Sequence, residues 1–170
     1  DKYIGDAIMA VFGSPLPIPD HAWMATQTAI DMRHRLQEFN IKRIETLQPK
    51  TQAEIDMATI RIGIGINSDT VISGNIGSTR RMEFTAIGDG VNLGSRLEGA
   101  SKQYGTDIVI SESTYKICGD RLWVRELDRI QVKGKNQPVG IYELVGLKSD
   151  PLSELQTRII EHYQAGREYY

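Results

Sequence analysis

The chain has few of the features that mark secreted, membrane-spanning or nucleic-acid-binding proteins. Cys118 is the one cysteine among 170 residues, so neither an internal disulfide nor a cysteine metal cage can form. No apolar run approaches the roughly 18–20 residues of a membrane span, and no signal peptide is visible. The formal net charge is -2, which gives no overall attraction for nucleic acid or anionic membrane. We therefore expect a cytoplasmic protein in which this segment contacts neither nucleic acid nor membrane.

Apolar and turn-forming stretches alternate irregularly, as in a single domain that mixes strands with helices. A hydrophobic content of 40% over 170 residues is enough for a sizeable core. The pattern predicts an α+β sandwich with a central, mostly antiparallel sheet flanked by helices. Gly5-Asp6 reads as a type II′ hairpin turn, and Asp20, Asp89 and Ser111 read as helix caps. Strands are predicted at 7–12, 58–66 and 71–77, late in 78–90, and at 108–110, 122–134 and 139–146. Helices are predicted at 21–40, 91–104 and 111–118, and an amphipathic tail at 151–170. Residues 14–19 are predicted to form a loop, and 41–56 an irregular surface segment.

Three groups of residues carry chemistry that suits a nucleoside triphosphate. The first is Lys2 and Asp6, at the two ends of the opening hairpin turn. The second is Thr85, at the end of a strand, followed by Asn92 and Arg96, which are four apart on a helix and so face one way. A helix start with an amide and a guanidinium is well suited to hold phosphate.

The third group is the turn Lys133-Gly134-Lys135, with two cations close together. Each group also has an ordinary structural alternative. Charged turn residues are usually solvated, and Asn92 and Arg96 would serve equally as solvated helix residues. Thr85 suits any strand, and a basic hairpin tip is often just exposed.

Three ordered segments resemble the catalytic domain of class III nucleotidyl cyclases, most closely the bacterial, cyanobacterial-type adenylyl cyclases. The segments are DKYIGDAIMAVFG at the start, GNIGSTRRMEFTAIGDGVNLGSRLE (74–98) and VKGKNQPVGIYEL (132–144). The resemblance covers about residues 1–146, and it implies that family's ferredoxin-like α+β fold. We accordingly expect a catalytic domain over 1–146 that lacks its first strand and first metal aspartate. Residues 147–170 are expected to form a C-terminal linker or helix.

The resemblance implies an intracellular signalling enzyme that works as a head-to-tail homodimer. Its sites lie at the interface, where two aspartates of one subunit hold two divalent cations on the ATP phosphates. These cations are Mg²⁺ or Mn²⁺, with Ca²⁺ as an alternative at one position. The ribose 3′-hydroxyl attacks the α-phosphorus in line, pyrophosphate leaves, and 3′,5′-cyclic AMP forms.

The resemblance also implies roles for individual residues. Asp6 matches the second metal aspartate, Asn92 the residue that orients the ribose, and Arg96 the group that balances charge on the α-phosphate. Lys133 matches the basic residue that reaches the terminal phosphates, with Lys135 as the weaker candidate. The first metal aspartate is expected upstream of residue 1, so we expect this stretch to be inactive alone. Within a dimer, Lys2 and Asp6 of one subunit would serve different sites.

Base choice follows from hydrogen-bonding chemistry at Lys2 and Thr85. Lysine only donates, so Lys2 suits the N1 acceptor of adenine, and Thr85 can accept from the exocyclic amine. Guanine presents a donor at N1 and would need a carboxylate, which neither position supplies. Many adenylyl cyclases have Asp at the position of Thr85, and threonine there is typical of a subgroup that responds to bicarbonate. Bicarbonate is therefore a candidate effector.

Three other functions compete with an ATP cyclase. One is a catalytically inactive cyclase-homology module for regulation or dimerisation, although retention of Lys2, Asp6, Asn92 and Arg96 disfavours it. A guanylyl cyclase is disfavoured by Lys2. A diguanylate-forming enzyme would carry a GG[DE]EF turn, which the sequence does not contain.

Overall fold

The structure, a computed structural model, describes residues 2–78, 81–131 and 138–167. Within these ranges the strands and helices interleave along the chain, as the sequence pattern predicts. A short 3-10 turn, Gly119–Arg121, follows the fourth helix. The strands are β1 (Lys2–Ile4), β2 (Ala7–Met9), β3 (Ile64–Ile66), β4 (Ile72–Ser78), β5 (Arg81–Ile87), β6 (Ile108–Ser111), β7 (Leu122–Ile130) and β8 (Val139–Leu147), and the helices are α1 (His21–Leu47), α2 (Gln52–Ala58), α3 (Asp89–Tyr104), α4 (Glu112–Cys118) and α5 (Glu154–Arg167).

A four-stranded core sheet has the strand order β3-β6-β8-β7. β3 runs parallel to β6, whereas β8 is antiparallel to both β6 and β7. Two of its three strand pairings are therefore antiparallel, which confirms the predicted, mostly antiparallel sheet.

The core sheet lies between two layers of helices. Ile108 and Ile110 of β6 belong to the apolar cluster that contains α1 and the end of α4. Val109, between them, belongs to the cluster that contains α3 and Tyr163 of α5. All three side chains are completely buried, and successive strand residues point to opposite faces of a sheet. The predicted α+β sandwich is thus confirmed, with α1 and α4 on one face and α3 and α5 on the other.

Two separate hairpins carry residues that the sequence singles out. β1 and β2 pair antiparallel around the Gly5-Asp6 turn. Gly5 has a φ of +64°, which a type II′ turn requires at its first central position and which glycine adopts without strain. β4 and β5 pair antiparallel along their whole length, beginning with Ile72 opposite Ile87. This second hairpin is more regular than the charged loop and short strand predicted for 78–90.

The prediction of an irregular surface segment over 41–56 is wrong. α1 continues to Leu47 instead of ending near residue 40, and it ends where Gln48 adopts a left-handed conformation just before a proline. α2 then begins at a capping box, in which Thr51 accepts from the Glu54 backbone N–H and Glu54 accepts from the Thr51 N–H. None of the described helices is both long and apolar enough to cross a bilayer.

Several element boundaries also differ from the predicted ones. Residue 58 ends α2, and the strand predicted at 58–66 pairs only over Ile64–Ile66, the part that faces β6. Asp89 does not cap α3, because Gly88 is the capping residue and no side-chain cap bond forms. Ser111, in contrast, caps α4 as predicted by accepting from the Thr114 N–H. β2 is shorter than the predicted strand 7–12, and β7 ends at Ile130.

Candidate active site

The first hairpin separates a cation from a carboxylate. Lys2 lies at the start of β1, and its Nζ is 2.9 Å from a carboxylate oxygen of Glu83 on β5. This ion pair joins the two hairpins, although both side chains keep a third or more of their surface exposed. Asp6 lies beyond the other end of β1, in the exposed turn. The hairpin thus presents an ammonium group and a carboxylate at its opposite ends.

A small cleft brings Lys2 and Thr85 together between the two hairpins. Its volume is about 90 Å³, and apolar groups form most of its remaining wall. The loop at one side is held by a hydrogen bond of 2.6 Å between the hydroxyls of Ser14 and Ser73. A largely apolar cleft with one ammonium group and the hydroxyls of Ser14 and Thr85 has the chemistry to hold the edge of a planar ring. The cleft is lined by Lys2, Met9, Val11, Ser14, Pro15, Phe84 and Thr85.

Helix α3 displays Asn92 and Arg96 on its exposed side. Leu93 and Leu97, on the adjoining face, are completely buried in the core, which fixes how the helix is rotated. Arg96 donates from Nη2 to the backbone carbonyl of Gln131, over 3.1 Å. The guanidinium is therefore directed towards the end of β7. Because β5 leads through a single glycine into α3, Thr85 and Asn92 lie on consecutive elements.

The structure does not describe the predicted basic turn Lys133-Gly134-Lys135. Lys133 and Lys135 lie outside the described residues, as does the rest of 132–137. Their predicted contact with the terminal phosphates therefore stays a prediction.

Two polar residues at the site were not expected from the sequence. Glu83 precedes Thr85 by two positions on β5, so strand periodicity places both on one face, and this was the available signal. Asn67 follows β3, and its side-chain amide donates to the backbone carbonyl of Gly90 in the first turn of α3 over 2.9 Å. Nothing in the local sequence indicates that long-range contact.

The far end of α3 is held by a hydrogen bond between two residues whose pKa values are shifted. The hydroxyl of Tyr104 donates to a carboxylate oxygen of Asp128 on β7 over 2.7 Å. Partial burial and this hydrogen bond raise the pKa of Tyr104 to about 12. The same bond lowers the pKa of Asp128. The pair lies away from Asn92 and anchors the helix rather than taking part in the cleft.

Asp6 is the described residue that the family resemblance implies as a metal ligand. Within 2–78, 81–131 and 138–167, no group of three or more histidine, cysteine or acidic side chains could hold an ion. Asp6 is an exposed carboxylate with hard oxygen donors. Mg²⁺ is commonly bound by one or two carboxylates together with substrate phosphates, so the chemistry of Asp6 fits such an ion.

Comparison with known proteins identifies the class. The family model for the adenylate and guanylate cyclase catalytic domain matches residues 2–146. The chain therefore belongs to this family of class III cyclase catalytic domains, which confirms the resemblance carried by the three sequence segments.

Individual relatives give the same family but two base specificities. An adenylate cyclase of Anabaena cylindrica is 40% identical over 147 residues, which are 85% of this chain and 27% of that protein. Among solved structures, the adenylyl cyclase CyaB from P. aeruginosa aligns with a TM-score of 0.71 and 33% identity, covering 89% of this chain and 74% of that one. The guanylyl cyclase Cya2 aligns with a TM-score of 0.72 and 33% identity, covering 90% and 73%. The chain spans about a quarter or less of the length of the curated relatives it matches.

Proposed function

We propose that this domain is an adenylyl cyclase, which converts ATP to 3′,5′-cyclic AMP and pyrophosphate. The observation that carries the proposal is that Lys2 and Thr85 line one cleft. Thr85 lies on β5, the strand that leads into the helix bearing Asn92 and Arg96. A base-reading pair is thus followed along the chain by groups suited to the ribose and the α-phosphate.

The choice of adenine rests on the residues of the cleft, since an adenylyl and a guanylyl cyclase structure are equally similar to the chain. Lys2 donates to adenine N1, and the Thr85 hydroxyl accepts from the exocyclic amine. The carboxylate of Glu83, on the strand that carries Thr85, is paired with Lys2 at 2.9 Å. A guanine N1–H would have to compete with this ammonium for the carboxylate, which disfavours GTP.

Other residues of the chain would bind the ribose, the phosphates and the divalent cations. Asn92 orients the ribose, and Arg96 balances the negative charge that develops on the α-phosphate. Lys133 neutralises the terminal phosphates. Asp6 provides a carboxylate for the divalent cations, Mg²⁺ or Mn²⁺, with Ca²⁺ as an alternative at one position. When bound, these cations supply Lewis-acid activation of the 3′-hydroxyl and neutralise phosphate charge.

A head-to-tail homodimer is part of the proposal. The two hairpins expose large apolar side chains, among them Tyr3 at 80% and Ile72 at 71% of their maximal surface. Ile8 and Phe84 on the same hairpins are also exposed, and a concentration of such groups is typical of a protein interface. In this arrangement Asp6 of one subunit and Lys2 of the other complete one site, and two equivalent sites result.

Activity of the full-length protein tests the proposal most simply. The protein is incubated with ATP or GTP and with Mg²⁺ or Mn²⁺, alongside an Asp6→Ala variant and an Asp31→Ala control, an exposed carboxylate of α1. We expect cyclic AMP from ATP, lost in Asp6→Ala and retained in Asp31→Ala. A folded dimer that forms no product from either nucleotide would refute the proposal and favour an inactive regulatory module.

Bicarbonate regulation is a separate part of the proposal and rests on Thr85 alone. We expect bicarbonate to raise the rate of cyclic AMP formation at saturating ATP and fixed pH. An unchanged rate under these conditions would count against this effector while leaving the catalytic proposal intact.

A further inference from the structure

The loop that follows β3 lies directly against the first turn of α3. Gly90, in that turn, is buried, and a Cβ at this position would lie 2.7 Å from the Cβ of Asp69. Real Cβ atoms essentially never approach so closely, so Gly90 is where the two backbones can meet. Asn67 at the start of this loop is partly buried, and its Nδ2 donates to the Gly90 carbonyl over 2.9 Å.

The other half of the Asn67 amide is also engaged. Its Oδ1 accepts a hydrogen bond of 3.0 Å from the hydroxyl of Ser113 on α4. The Ser113 oxygen lies 2.9 Å from that of Ser111, the residue that caps α4. The amide therefore has one consistent orientation, with its oxygen towards a hydroxyl and its N–H towards a carbonyl. Asn67 thus bridges the beginnings of two helices on opposite faces of the core sheet.

This bridge matters because α3 has no side-chain cap of its own. Its N-cap residue is Gly88, which has no side chain to bond the free N–H groups of the first turn. Asn92 lies in that same first stretch of helix, two residues after Gly90. The position of the first turn is consequently set from outside the helix, through the contact at Gly90 and the bond from Asn67.

We propose that Asn67 is a positioning residue, which acts on the reaction through Asn92 by holding the first turn of α3 in place. This inference rests on the proposed function, because it assigns Asn67 a part in the same site. Asn67 itself is not expected to touch the nucleotide. Its loss should therefore affect the rate of the chemical step more than the binding of ATP, since orientation is realised mainly in the transition state.

The primary test is the isosteric variant Asn67→Asp in the full-length protein. It keeps an acceptor for Ser113 but places a carboxylate oxygen against the Gly90 carbonyl, where an N–H donor is needed. We expect kcat to fall about tenfold or more, with KM for ATP changed by less than about threefold.

Asn40→Asp is the matched control. Asn40 of α1 also bridges backbone groups, donating to the Ile60 carbonyl over 2.8 Å and accepting from the Ile60 N–H over 3.0 Å. It removes a bond of the same kind without contacting α3, so kcat should stay within about twofold of wild type. An equal fall of kcat in Asn40→Asp and Asn67→Asp would mean a general structural effect and would overturn the inference.

A double-mutant cycle separates positioning from other roles. If Asn67 acts through Asn92, Asn67→Asp should lower kcat by less than about twofold in an Asn92→Ala background. The same fall in both backgrounds would show that Asn67 acts elsewhere and would overturn the inference.

Hydrogen exchange gives a readout that needs no catalysis. Deuterium uptake by the backbone amides of 88–97 is expected to speed up in Asn67→Asp and to stay unchanged in Asn40→Asp. Unchanged uptake in Asn67→Asp would overturn the positioning role whatever the activity of the protein. A wild-type protein that cyclises no nucleotide would refute the proposed function, whereas an active wild type with an equally active Asn67→Asp would overturn only the role of Asn67.

Discussion

A methyl group at Gly65 is expected to disturb the seat of α3 on the core sheet. Gly65 lies in β3, and a Cβ there would lie well inside van der Waals contact with the backbone of α3 at Gly94 and Glu98. Backbone atoms cannot rotate away as the end of a long side chain can. In Gly65→Ala, α3 must therefore move by about 1 Å before the contact relaxes towards the usual separation of ~3.5 Å.

The displacement has a cost in stability and a cost in rate. Overpacking of a core commonly destabilises by about 1–3 kcal/mol, and two obstructing backbone segments favour a value of about 2 kcal/mol or more. For a domain of this size a loss of 2 kcal/mol lowers Tm by roughly 4–8 °C. Since α3 carries Asn92 and Arg96, a shift of about 1 Å is also expected to lower kcat by about 10²-fold.

Gly99→Ala is the matched control for this prediction. Gly99 is exposed on the same helix, and a Cβ there would meet nothing within 4 Å. Alanine inside a helix is more favourable than glycine by roughly 0.5–1 kcal/mol, so this variant should be slightly more stable and equally active. Thermal unfolding and initial rates of cyclic AMP formation measure both effects. A Gly65→Ala protein with wild-type Tm and wild-type kcat would refute the reasoning.

Two further predictions concern other parts of α3. Arg96→Ala should lower kcat by about 10²–10³-fold with little change in Tm, because the guanidinium balances charge in the transition state. Initial rates and a thermal melting curve measure the two effects. A rate within threefold of wild type would contradict this prediction. Tyr104→Phe should destabilise by about 1 kcal/mol at pH 7, as measured by urea unfolding. The pKa of Asp128 is lowered in the folded state, so its contribution is present above the usual carboxyl pKa of about 4 and is lost as pH falls. The pKa of Tyr104 is raised to about 12, so its contribution is lost only as pH rises from about 10 through 12. The difference between Tyr104→Phe and wild type should therefore shrink towards pH 3, and a difference that grows on acidification would contradict this account.

Features set by local sequence could be predicted, because their causes lie within a few residues. The Gly5-Asp6 turn follows from the freedom of glycine at positive φ, and the strand after it follows from the apolar run that begins at Ala7. Asn92 and Arg96 could be assigned to one helix face from their spacing alone. Ser111 could be identified as a cap because its hydroxyl bonds a backbone N–H only three residues away.

Features set by distant contacts could not be predicted from the same sequence. The alternation of Gly63 and Gly65 with isoleucines indicates a strand, but it does not show that the glycine face receives the backbone of α3. The pairing of Lys2 with Glu83 joins two hairpins whose relative position no local pattern gives. The contact of Asn67 with Gly90 depends in the same way on how a loop meets a helix.

The extent of α1 was underestimated for a related reason. Its later residues, 41–47, are polar enough to resemble a surface segment, and no glycine or proline stops the helix before Gln48 and the proline after it. Arg43 there donates to the Ala58 carbonyl at the end of α2, over 2.9 Å. Lysine, arginine, glutamate and leucine in this stretch favour a helix, so the missing stop signal was the available cue, and the tertiary contact adds support.

Complementation between two severely impaired variants tests the central claim, an ATP-cyclising site shared between two copies, most directly. Asp6→Ala and Asn92→Ala each remove a residue from both sites of a homodimer, so each variant alone should keep no more than about 1% of the wild-type rate. When they are co-expressed in equal amounts, about half of the dimers should be mixed, and each mixed dimer should retain one intact site. The account predicts cyclic AMP formation from ATP at about a quarter of the wild-type rate. Folded mixed dimers no more active than the two variants alone, or an Asp6→Ala or Asn92→Ala homodimer as active as the mixed dimers, would contradict it.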